Sequence, residues 1–248
     1  MKTVVVGASS GLGRSIAIGL GQKGASVALL ARRHDRLVDA AKEAGPGSLA
    51  IECDVTDASS CRSAIEEAAA GLGGIDALVY STGVGHLGRL VDADVEAWQR
   101  SFSTNVIGAA LVTAAAIPYL TASAGVAAYL SSVSASFTPP WPGLGVYATS
   151  KAALEKLVES WRAEHPAVGF TRVVVGDCAG GEGASMTEFI NNWDPALMME
   201  FHPIWEARSL LAGSLVEVAE LIRVIDAVLR CGASASIPSV AVIPRAPA

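Results

Sequence analysis

Tyr147 and Lys151 stand four residues apart in VYATSKAAL at 146–154, and the fifty residues at 101–150 contain no Asp, Glu, Lys, Arg or His. On a helix, residues at i and i+4 share one face. An ammonium group beside a phenol stabilises the phenolate and lowers the tyrosine pKa from its usual ~10. Such a phenol can give a proton to a carbonyl oxygen or take one from an alcohol. The pair predicts acid–base chemistry, although surface pairs without a catalytic role show the same spacing.

A glycine-rich turn, VGASSGLG at 6–13, follows a β-branched stretch and precedes a segment with helical apolar spacing. Unpaired N–H groups and the positive end of a helix dipole can bind a phosphate there, and glycines leave room for it. The spacing is GxxxGxG rather than GxGxxG, so its place between strand and helix makes it informative. The turn predicts a pyrophosphate site; the alternative is a tight turn that binds nothing.

Arg32 and Arg33 end the second predicted strand, where many dinucleotide folds have an acidic residue that binds the ribose 2′-hydroxyl. A guanidinium group matches the charge and geometry of a 2′-phosphate. We therefore expect NADP(H) to be favoured over NAD(H). The alternative is that both arginines are only solvated. Asp35, in the following helix start, also suits a capping role.

The 248 residues are 51% hydrophobic and 17% charged, with a net charge of −6, which favours a soluble globular protein and gives nucleic-acid binding no electrostatic support. The four cysteines form no CxxC pair, so we expect free thiols in a reducing cytoplasm and no metal site. The longest apolar run, 106–120, is shorter than the ~18 residues of a membrane span. The N-terminus lacks a secretory pattern, so we expect no membrane association.

Strand-like and helical segments alternate along the chain. Near-continuous apolar strands indicate a sheet covered on both faces, and strict alternation indicates parallel strands. The sequence predicts one doubly wound, Rossmann-type α/β domain over residues 1–248, with a parallel sheet of about seven strands and helices on both faces. One long helix is expected over 94–120, and IPRAPA at 243–248 is expected to be a short tail. The predicted strands are KTVVVG, ASVALLA, SLAIECD, IDALVYS, GVAAYLS, GFTRVVVG and SVAVIP.

The segment 180–213 breaks this alternation and contains three of the four methionines, together with Trp193, Phe201 and Trp205. It is too long for an ordinary connection between a strand and a helix. One interpretation is a lid or substrate loop with short helices over an apolar substrate. The other is a pair of surface helices that bury their own apolar face.

Five stretches together resemble the classical short-chain dehydrogenase/reductase family. The resemblance covers nearly all of the chain, and 177–212 is its least regular part. It implies an oxidoreductase that transfers hydride between a nicotinamide dinucleotide and a carbonyl or secondary alcohol substrate. The five stretches are VGASSGLG at 6–13, CDVTD at 53–57, STNVIGA at 103–109, LSSVSAS at 130–136 and YATSK at 147–151.

The resemblance also implies roles for individual residues. Tyr147 would be the general acid/base, and Lys151 would hold the nicotinamide ribose and tune Tyr147. Asn105 would support a water molecule near Lys151, and Asp54 would contact the adenine. The expected cofactor-binding residues are Gly7, Ser9, Ser10, Gly11, Leu12, Gly13, Arg32, Arg33, Asp54, Val55, Gly83, Tyr147, Lys151 and Thr187.

Two serines compete for the catalytic position. Counting back thirteen residues from Tyr147, the spacing common in the family, gives Ser134, whereas matching the serine pair at the strand end gives Ser132. We favour Ser132, because strand ends are rigid and the Pro-rich loop at 136–145 can absorb an insertion. Ser134 remains the alternative.

Two turns depart from the family pattern. The Asn-Asn-Ala-Gly turn after the fourth strand reads YSTG at 80–83, and the Pro-Gly turn after the sixth reads GDCAG at 176–180. These departures motivate one alternative function, a non-catalytic dinucleotide-binding redox sensor or scaffold. The resemblance further implies a homodimer or homotetramer, formed through the helices near 95–120 and 147–164.

Overall fold

The computed structural model describes residues 1–178, 180–181 and 183–245. Residues 246–248 of the predicted tail lie outside the described residues, as do Ala179 of the altered turn and Glu182 of the predicted lid. Every strand predicted from the sequence lies within the described part of the chain.

Seven parallel strands form one sheet in the order β3-β2-β1-β4-β5-β6-β7. The chain moves outward from β1 to β3 and then returns, so that β4 pairs with the other side of β1. In open α/β sheets, ligands bind outside the carboxyl ends of the strands at such a reversal. The predicted doubly wound fold is confirmed. The strands are β1 Lys2–Val6, β2 Ser26–Ala31, β3 Leu49–Glu52, β4 Ala77–Tyr80, β5 Val126–Ser132, β6 Gly169–Val175 and β7 Ser239–Val242.

Helices cover both faces of the sheet. They are α1 Gly11–Gln22, α2 His34–Ala44, α3 Ala58–Leu72, α4 Val95–Phe102, α5 Gly108–Ser123, α6 Val133–Ser136, α7 Gly145–Glu164, α8 Pro195–Ala207 and α9 Val218–Leu229. On one face α3, α5 and α7 bury side chains such as Ile65 and Leu154. On the other face α1, α2 and α9 bury side chains such as Ile16 and Ile225. Because apolar side chains are needed on both faces, the strands are apolar almost throughout.

A π-helical turn interrupts the single helix predicted over 94–120. It spans Ser103–Ile107, between the end of α4 and the start of α5. At its centre lies Asn105, which is fully buried and hydrogen-bonded. Single π turns occur frequently at functional sites. Apolar periodicity could not reveal this one, because α5 is apolar almost all round.

The segment after β6 packs onto the Pro-rich loop. On α8, Phe201 and Trp205 join Trp141 in an apolar cluster separate from the two clusters beside the sheet. The Trp205 indole donates a hydrogen bond to the Pro142 carbonyl at 2.8 Å. In the described part of 180–213, α8 and a short 3₁₀ turn at Gly183–Ser185 are the helical elements. The apolar face of α8 is therefore covered by the loop, and not by a second α-helix of the same segment.

Candidate active site

The glycine-rich turn joins β1 to α1 at the carboxyl edge of the sheet, where the strand order reverses. Gly7 and Gly11 have φ values of +89° and +56°, which residues with side chains rarely adopt. A Cβ on Gly13 would lie 2.3 Å from the Gly7 carbonyl oxygen, so the backbone here has no room for a side chain. The turn therefore presents bare backbone at the N-terminus of α1, as phosphate binding requires.

Arg33 connects the start of α2 to this turn. Its guanidinium donates hydrogen bonds to the hydroxyls of Ser9 and Ser10, both at 2.9 Å. Arg33 and Arg36 also converge on one carboxylate, that of Glu188, with distances of 2.5 and 2.6 Å to its two oxygens. Both guanidinium groups lower the pKa of Glu188. Neither Arg36 nor Glu188 was predicted from the sequence; the i, i+3 spacing of Arg33 and Arg36 was an available signal for Arg36.

Arg32 lies outside this cluster and is exposed to solvent. Hydrogen bonds from the backbone and hydroxyl of Thr56 lower the pKa of Asp54, and the charge of Arg32 adds to that effect. Val55, next to Asp54, is buried. Arg33 is thus held by the glycine-rich turn and Arg32 is not, while the binding of a cofactor by either arginine stays a prediction.

The altered turn after β4 lies between the glycine-rich turn and Lys151. The Ser81 hydroxyl donates to the backbone of β1 at 2.5 Å. The Thr82 hydroxyl is buried, has no hydrogen-bond partner among the described residues, and faces Gly7. At Gly83, a Cβ would come within 3.2 Å of the Lys151 ammonium. The retained glycine thus leaves space for the lysine, and the substituted residues keep the turn bound to β1.

Tyr147 and Lys151 lie one turn apart on α7, and the ammonium nitrogen is 5.9 Å from the centroid of the tyrosine ring. Lys151 is buried and donates a hydrogen bond to the Leu130 carbonyl at 2.8 Å. Burial lowers the pKa of Lys151 to about 8, against a smaller raising effect of the Glu155 carboxylate. The structure thus brings a buried ammonium group to the carboxyl end of β5.

The expectation that Lys151 lowers the pKa of Tyr147 is wrong for this conformation. Burial raises the pKa of Tyr147 to about 12, and a hydrogen bond with Ser132 acts in the opposite direction. An ammonium group stabilises a phenolate only at close range, and here the ammonium is bound to the Leu130 carbonyl. Tyr147 is therefore a protonated phenol at neutral pH, which suits proton donation.

Ser132 and Ser134 lie together, with their hydroxyl oxygens 3.0 Å apart. Ser132 is the last residue of β5 and caps α6, accepting a hydrogen bond from the Ser134 N–H at 3.3 Å. The Ser132 hydroxyl interacts with Tyr147, whereas Ser134 is buried with Ser132 as its partner. The effect on the Tyr147 pKa favours Ser132, the serine at the strand end, and the choice between the two serines stays a prediction.

Asn105 connects the turn after β4 to α7. Its amide nitrogen donates to the Val84 carbonyl at 3.0 Å and to the Ser150 hydroxyl at 2.8 Å, and its oxygen accepts from the Val84 N–H at 2.8 Å. The Ser150 hydroxyl donates to the Tyr147 carbonyl at 2.7 Å. Asn105 thus fixes the turn beside Lys151, and its support of a water molecule stays a prediction.

A buried carboxylate that the sequence analysis missed lies one turn after Lys151. Glu155 accepts hydrogen bonds from the Ser131 hydroxyl at 2.6 Å, the Ser136 hydroxyl at 2.7 Å and the Arg172 guanidinium at 3.1 Å. The two serines flank the short stretch that contains Ser132 and Ser134. Glu155 therefore holds both ends of the serine loop. Its i+4 spacing from Lys151 was the available sequence signal.

Residues 186–189, which we call the inserted segment, lie across the crevice. The Met186 carbonyl accepts a hydrogen bond from the Gly11 N–H at 3.2 Å. Thr187 contacts the glycine-rich turn, with its Cα 3.4 Å from the position of a Gly11 Cβ. The Phe189 ring packs edge-on against Tyr147, with centroids 5.0 Å apart. Thr187, predicted to bind cofactor, therefore lies next to the predicted pyrophosphate site.

Two findings concern metals and membranes. Across residues 1–178, 180–181 and 183–245, the His, Cys, Asp and Glu side chains form no group of three or more that could hold a metal ion. One helical run, Val95–Ser123, is long and apolar enough to cross a membrane by length and composition alone. This is weak evidence, because the core helices of soluble proteins have the same character, and part of this run belongs to the core beside α3.

Comparison with known proteins agrees with the site geometry. The family profile described as short chain dehydrogenase matches residues 2–194. A short chain dehydrogenase of Pseudocercospora fijiensis is 36% identical over 172 residues, which are 67% of this chain and 55% of that protein. The 11-beta-hydroxysteroid dehydrogenase A of Sesamum indicum is 33% identical over 179 residues, covering 70% of this chain and 51% of that enzyme. The chain therefore spans about half the length of these curated relatives.

Solved structures share the fold over nearly the whole chain. An alcohol dehydrogenase of Thermococcus sibiricus, complexed with 5-hydroxy-NADP, has a TM-score of 0.79 at 23% identity and covers 97% of this chain and 94% of its own. A 3-ketoacyl-(acyl-carrier-protein) reductase of Brucella melitensis, complexed with NADH, has a TM-score of 0.80 at 23% identity and covers 97% and 95%. Both are similar to this chain in the arrangement of strands and helices.

Proposed function

The chain belongs to the short chain dehydrogenase family, and from this premise we propose that it is an NADP(H)-preferring enzyme that interconverts a carbonyl group and a secondary alcohol. Membership of the family makes it an oxidoreductase that uses a nicotinamide dinucleotide. The observation that carries the finer proposal is the placement of Tyr147 and Lys151 on one face of α7, with the Lys151 ammonium bound to Leu130, two residues before Ser132 at the carboxyl end of β5.

The residues of the crevice fit a dinucleotide. A Cβ at Gly7 or Gly13 would collide with its neighbours, so the turn stays compact at the N-terminus of α1, where the N–H groups of the first helical turn can bind a pyrophosphate. The Thr82 hydroxyl is buried without a partner among the described residues. A carboxylate already stands between Arg33 and Arg36, so this position accepts a negative charge.

When bound, the nicotinamide supplies or accepts the hydride. Tyr147 gives its phenolic proton to the carbonyl oxygen while the adjacent carbon is reduced, and the Ser132 hydroxyl donates a hydrogen bond to the same oxygen. Lys151 stabilises the resulting phenolate once its ammonium turns from the Leu130 carbonyl towards Tyr147. In alcohol oxidation the same groups act in reverse.

The preference for NADP(H) rests on Arg33 and Arg36. The two guanidinium groups bind both oxygens of one carboxylate, and a phosphate group offers the same geometry with more charge. Arg33 is also held by Ser9 and Ser10 of the glycine-rich turn, so the anion lies beside the expected pyrophosphate. A 2′-phosphate on the adenosine ribose would occupy this position.

An apolar substrate is supported by the cluster between α8 and the Pro-rich loop. Trp141, Phe201 and Trp205 are buried there, and Trp193 packs against Trp205 and Phe189. Phe189 in turn contacts Tyr147, so the apolar surface extends to the proposed acid/base. The name of the sesame relative denotes an enzyme for hydroxysteroids, which are bulky and apolar. We propose a ketone or secondary alcohol of that general character.

Two features support the expected assembly and location. Val95 on α4 and Ile107 in the π turn are 68% and 51% exposed, and such apolar surface is typical of a subunit interface. This supports a homodimer or homotetramer formed through α4, α5 and α7. All four cysteines are free thiols, as is usual in the reducing cytoplasm.

The experiment that tests this function is NADPH oxidation with a panel of apolar ketones and aldehydes. Turnover should fall by at least about 100-fold in Tyr147→Phe, while calorimetry should still detect NADPH binding, weakened by no more than about tenfold, as the loss of one hydrogen bond allows. Tight NADPH binding without turnover on any of the panel would instead favour the non-catalytic sensor or scaffold.

A further inference from the structure

The inserted segment uses groups that the proposed function assigns to the cofactor. The Met186 carbonyl accepts the hydrogen bond of the Gly11 N–H, and the Phe189 ring packs against Tyr147. The Glu188 carboxylate is bound by the guanidinium groups of Arg33 and Arg36. The contacts through Met186 and Phe189 oppose any dinucleotide equally, since NAD(H) and NADP(H) share the pyrophosphate and the nicotinamide. Glu188 differs, because its carboxylate lies where only NADP(H) carries a group.

The Glu188 carboxylate is bound as a phosphate would be. Each of its oxygens receives one guanidinium group, at 2.5 Å from Arg33 and 2.6 Å from Arg36. The Ser10 hydroxyl lies 3.5 Å from the same oxygen as Arg33. The side chains of Glu188 and Arg33 are 35% and 39% exposed, so solvent and a soluble anion can reach the pair. A phosphate bound by these arginines would also be repelled by a carboxylate that stayed beside it.

We infer that Glu188 is a specificity-determining residue that supplies, from within the chain, the negative charge that NAD(H) lacks at the Arg33–Arg36 position. This inference rests on the proposed function. NADP(H) must displace the Glu188 carboxylate before its 2′-phosphate can bind the two arginines. When NAD(H) binds, Glu188 can keep its ion pairs with both arginines or form them again. Glu188 therefore narrows the difference in affinity between the two cofactors.

The test is calorimetric titration of NADPH and NADH into the wild type, Glu188→Gln and Glu200→Gln. The change at Glu188 keeps the shape of the side chain and removes its charge. Glu200 is the matched control, because it pairs with Arg89 at 2.6 Å and is similarly exposed, but lies on α8 outside the crevice. The quantity compared is the ratio of the NADH and NADPH dissociation constants, in which any effect common to both cofactors cancels.

We expect this ratio to rise by about three- to tenfold in Glu188→Gln, the range that two partly exposed ion pairs support. It should stay within about twofold of wild type in Glu200→Gln. An unchanged or smaller ratio in Glu188→Gln would overturn the inference, even if both cofactors bound more tightly, since that result would mean a general loosening of the inserted segment.

Adenosine 2′,5′-bisphosphate separates this inference from the proposed function, because it presents the 2′-phosphate without a nicotinamide. Glu188→Gln should bind it about three- to tenfold more tightly than wild type, and 5′-AMP should show no such gain. If no variant turned over any substrate but this pattern held, the proposed activity would fail and the role of Glu188 would stand. Equal binding of the bisphosphate by both proteins would overturn the role of Glu188.

Discussion

The buried carboxylate of Glu155 accepts a hydrogen bond from the Ser131 hydroxyl at 2.6 Å, one residue before the proposed catalytic Ser132. It also binds Ser136 and Arg172. In Glu155→Gln, one oxygen becomes an amide group that cannot accept, and the ion pair with Arg172 is lost. We expect the free energy of unfolding, measured by urea denaturation, to fall by about 1–3 kcal/mol.

Glu159→Gln provides the control for this change, because Glu159 also faces Arg172, at 3.6 Å, but its side chain is 38% exposed. Its substitution should alter stability by no more than about 0.5 kcal/mol. If both variants lost the same stability, Arg172 and not the serine loop would account for the effect of Glu155.

Lys151 should make stability depend on pH. Its pKa is lowered from 10.5 to about 8 by burial, so between these values the folded protein has lost a proton that the unfolded chain still holds. The free energy of unfolding therefore rises with pH between these two values. Below pH 8 Lys151 is protonated in both states, and burying its charge costs the folded state up to about 3 kcal/mol. The urea midpoint should rise between pH 8 and about 9.5 in wild type.

Lys151→Met removes the titrating group while keeping an apolar stem, so the difference between the two proteins isolates the lysine. That difference should shrink steadily over the same pH window. Above pH 10 the stability of both proteins should fall as pH rises. Burial raises the pKa of Tyr147 to about 12, so the folded state then holds a proton that the unfolded chain has lost. Parallel pH profiles for wild type and variant would contradict the assignment to Lys151.

Gly13→Ala should damage both folding and cofactor binding. The new Cβ would lie 2.3 Å from the Gly7 carbonyl oxygen and 2.4 Å from the Ser81 hydroxyl, and such overpacking typically costs about 1–3 kcal/mol. Thermal unfolding and NADPH titration should both report the loss. Gly232→Ala is the control, since no atom lies within 4 Å of a Cβ there; a comparable loss in that variant would rule out crowding as the cause.

Arg33→Ala and Arg36→Ala should each weaken NADPH binding by about tenfold or more, because a charged hydrogen bond to the 2′-phosphate contributes roughly 1.5–3 kcal/mol. NADH binding should change by less than about threefold. Arg32→Ala is the internal comparison, because Arg32 is solvent-exposed, and it should leave both constants as they are. Equal losses of NADPH affinity in Arg32→Ala and Arg33→Ala would contradict the proposed position of the 2′-phosphate between Arg33 and Arg36.

Ile107→Glu should convert the proposed oligomer into monomers, since a charge cannot be buried at an apolar interface without a large cost. Light scattering coupled to size exclusion measures the mass directly, and circular dichroism checks that the fold is retained. Val91→Glu, at a residue that is 88% exposed and outside α4, α5 and α7, should leave the mass unchanged. A folded Ile107→Glu variant with the wild-type oligomeric mass would place the interface elsewhere.

The parallel sheet, its strands and the first turn were predictable because their signals are local. Alternating apolar segments indicated the parallel sheet, and the spacing of Gly7, Gly11 and Gly13 identified the first turn. The i, i+4 pair of Tyr147 and Lys151 lies on one helix, so its proximity follows from helix geometry.

What escaped prediction depends on contacts between distant parts of the chain. Glu188 meets Arg33 across 155 positions, and no sequence pattern links the two. The direction of the Tyr147 pKa was misjudged because burial raises it, while the Lys151 ammonium is bound to the Leu130 carbonyl; neither the burial nor that hydrogen bond can be read from the i, i+4 spacing. Ser132 was favoured over Ser134 from the predicted strand end, but spacing alone could not decide between them, because the Pro-rich loop before Tyr147 can vary in length.

The π turn at Ser103–Ile107 makes chain length itself a constraint. Each residue of an α-helix advances the direction of its side chain by about 100°, so the loss of one residue here would rotate α4 by that angle relative to α5. Trp98 and Ala97 would then leave their places, or Asn105 would leave the crevice. In the natural variation of this protein, gained and lost residues should therefore accumulate in the surface loops and be absent from the middle of its most apolar helical run.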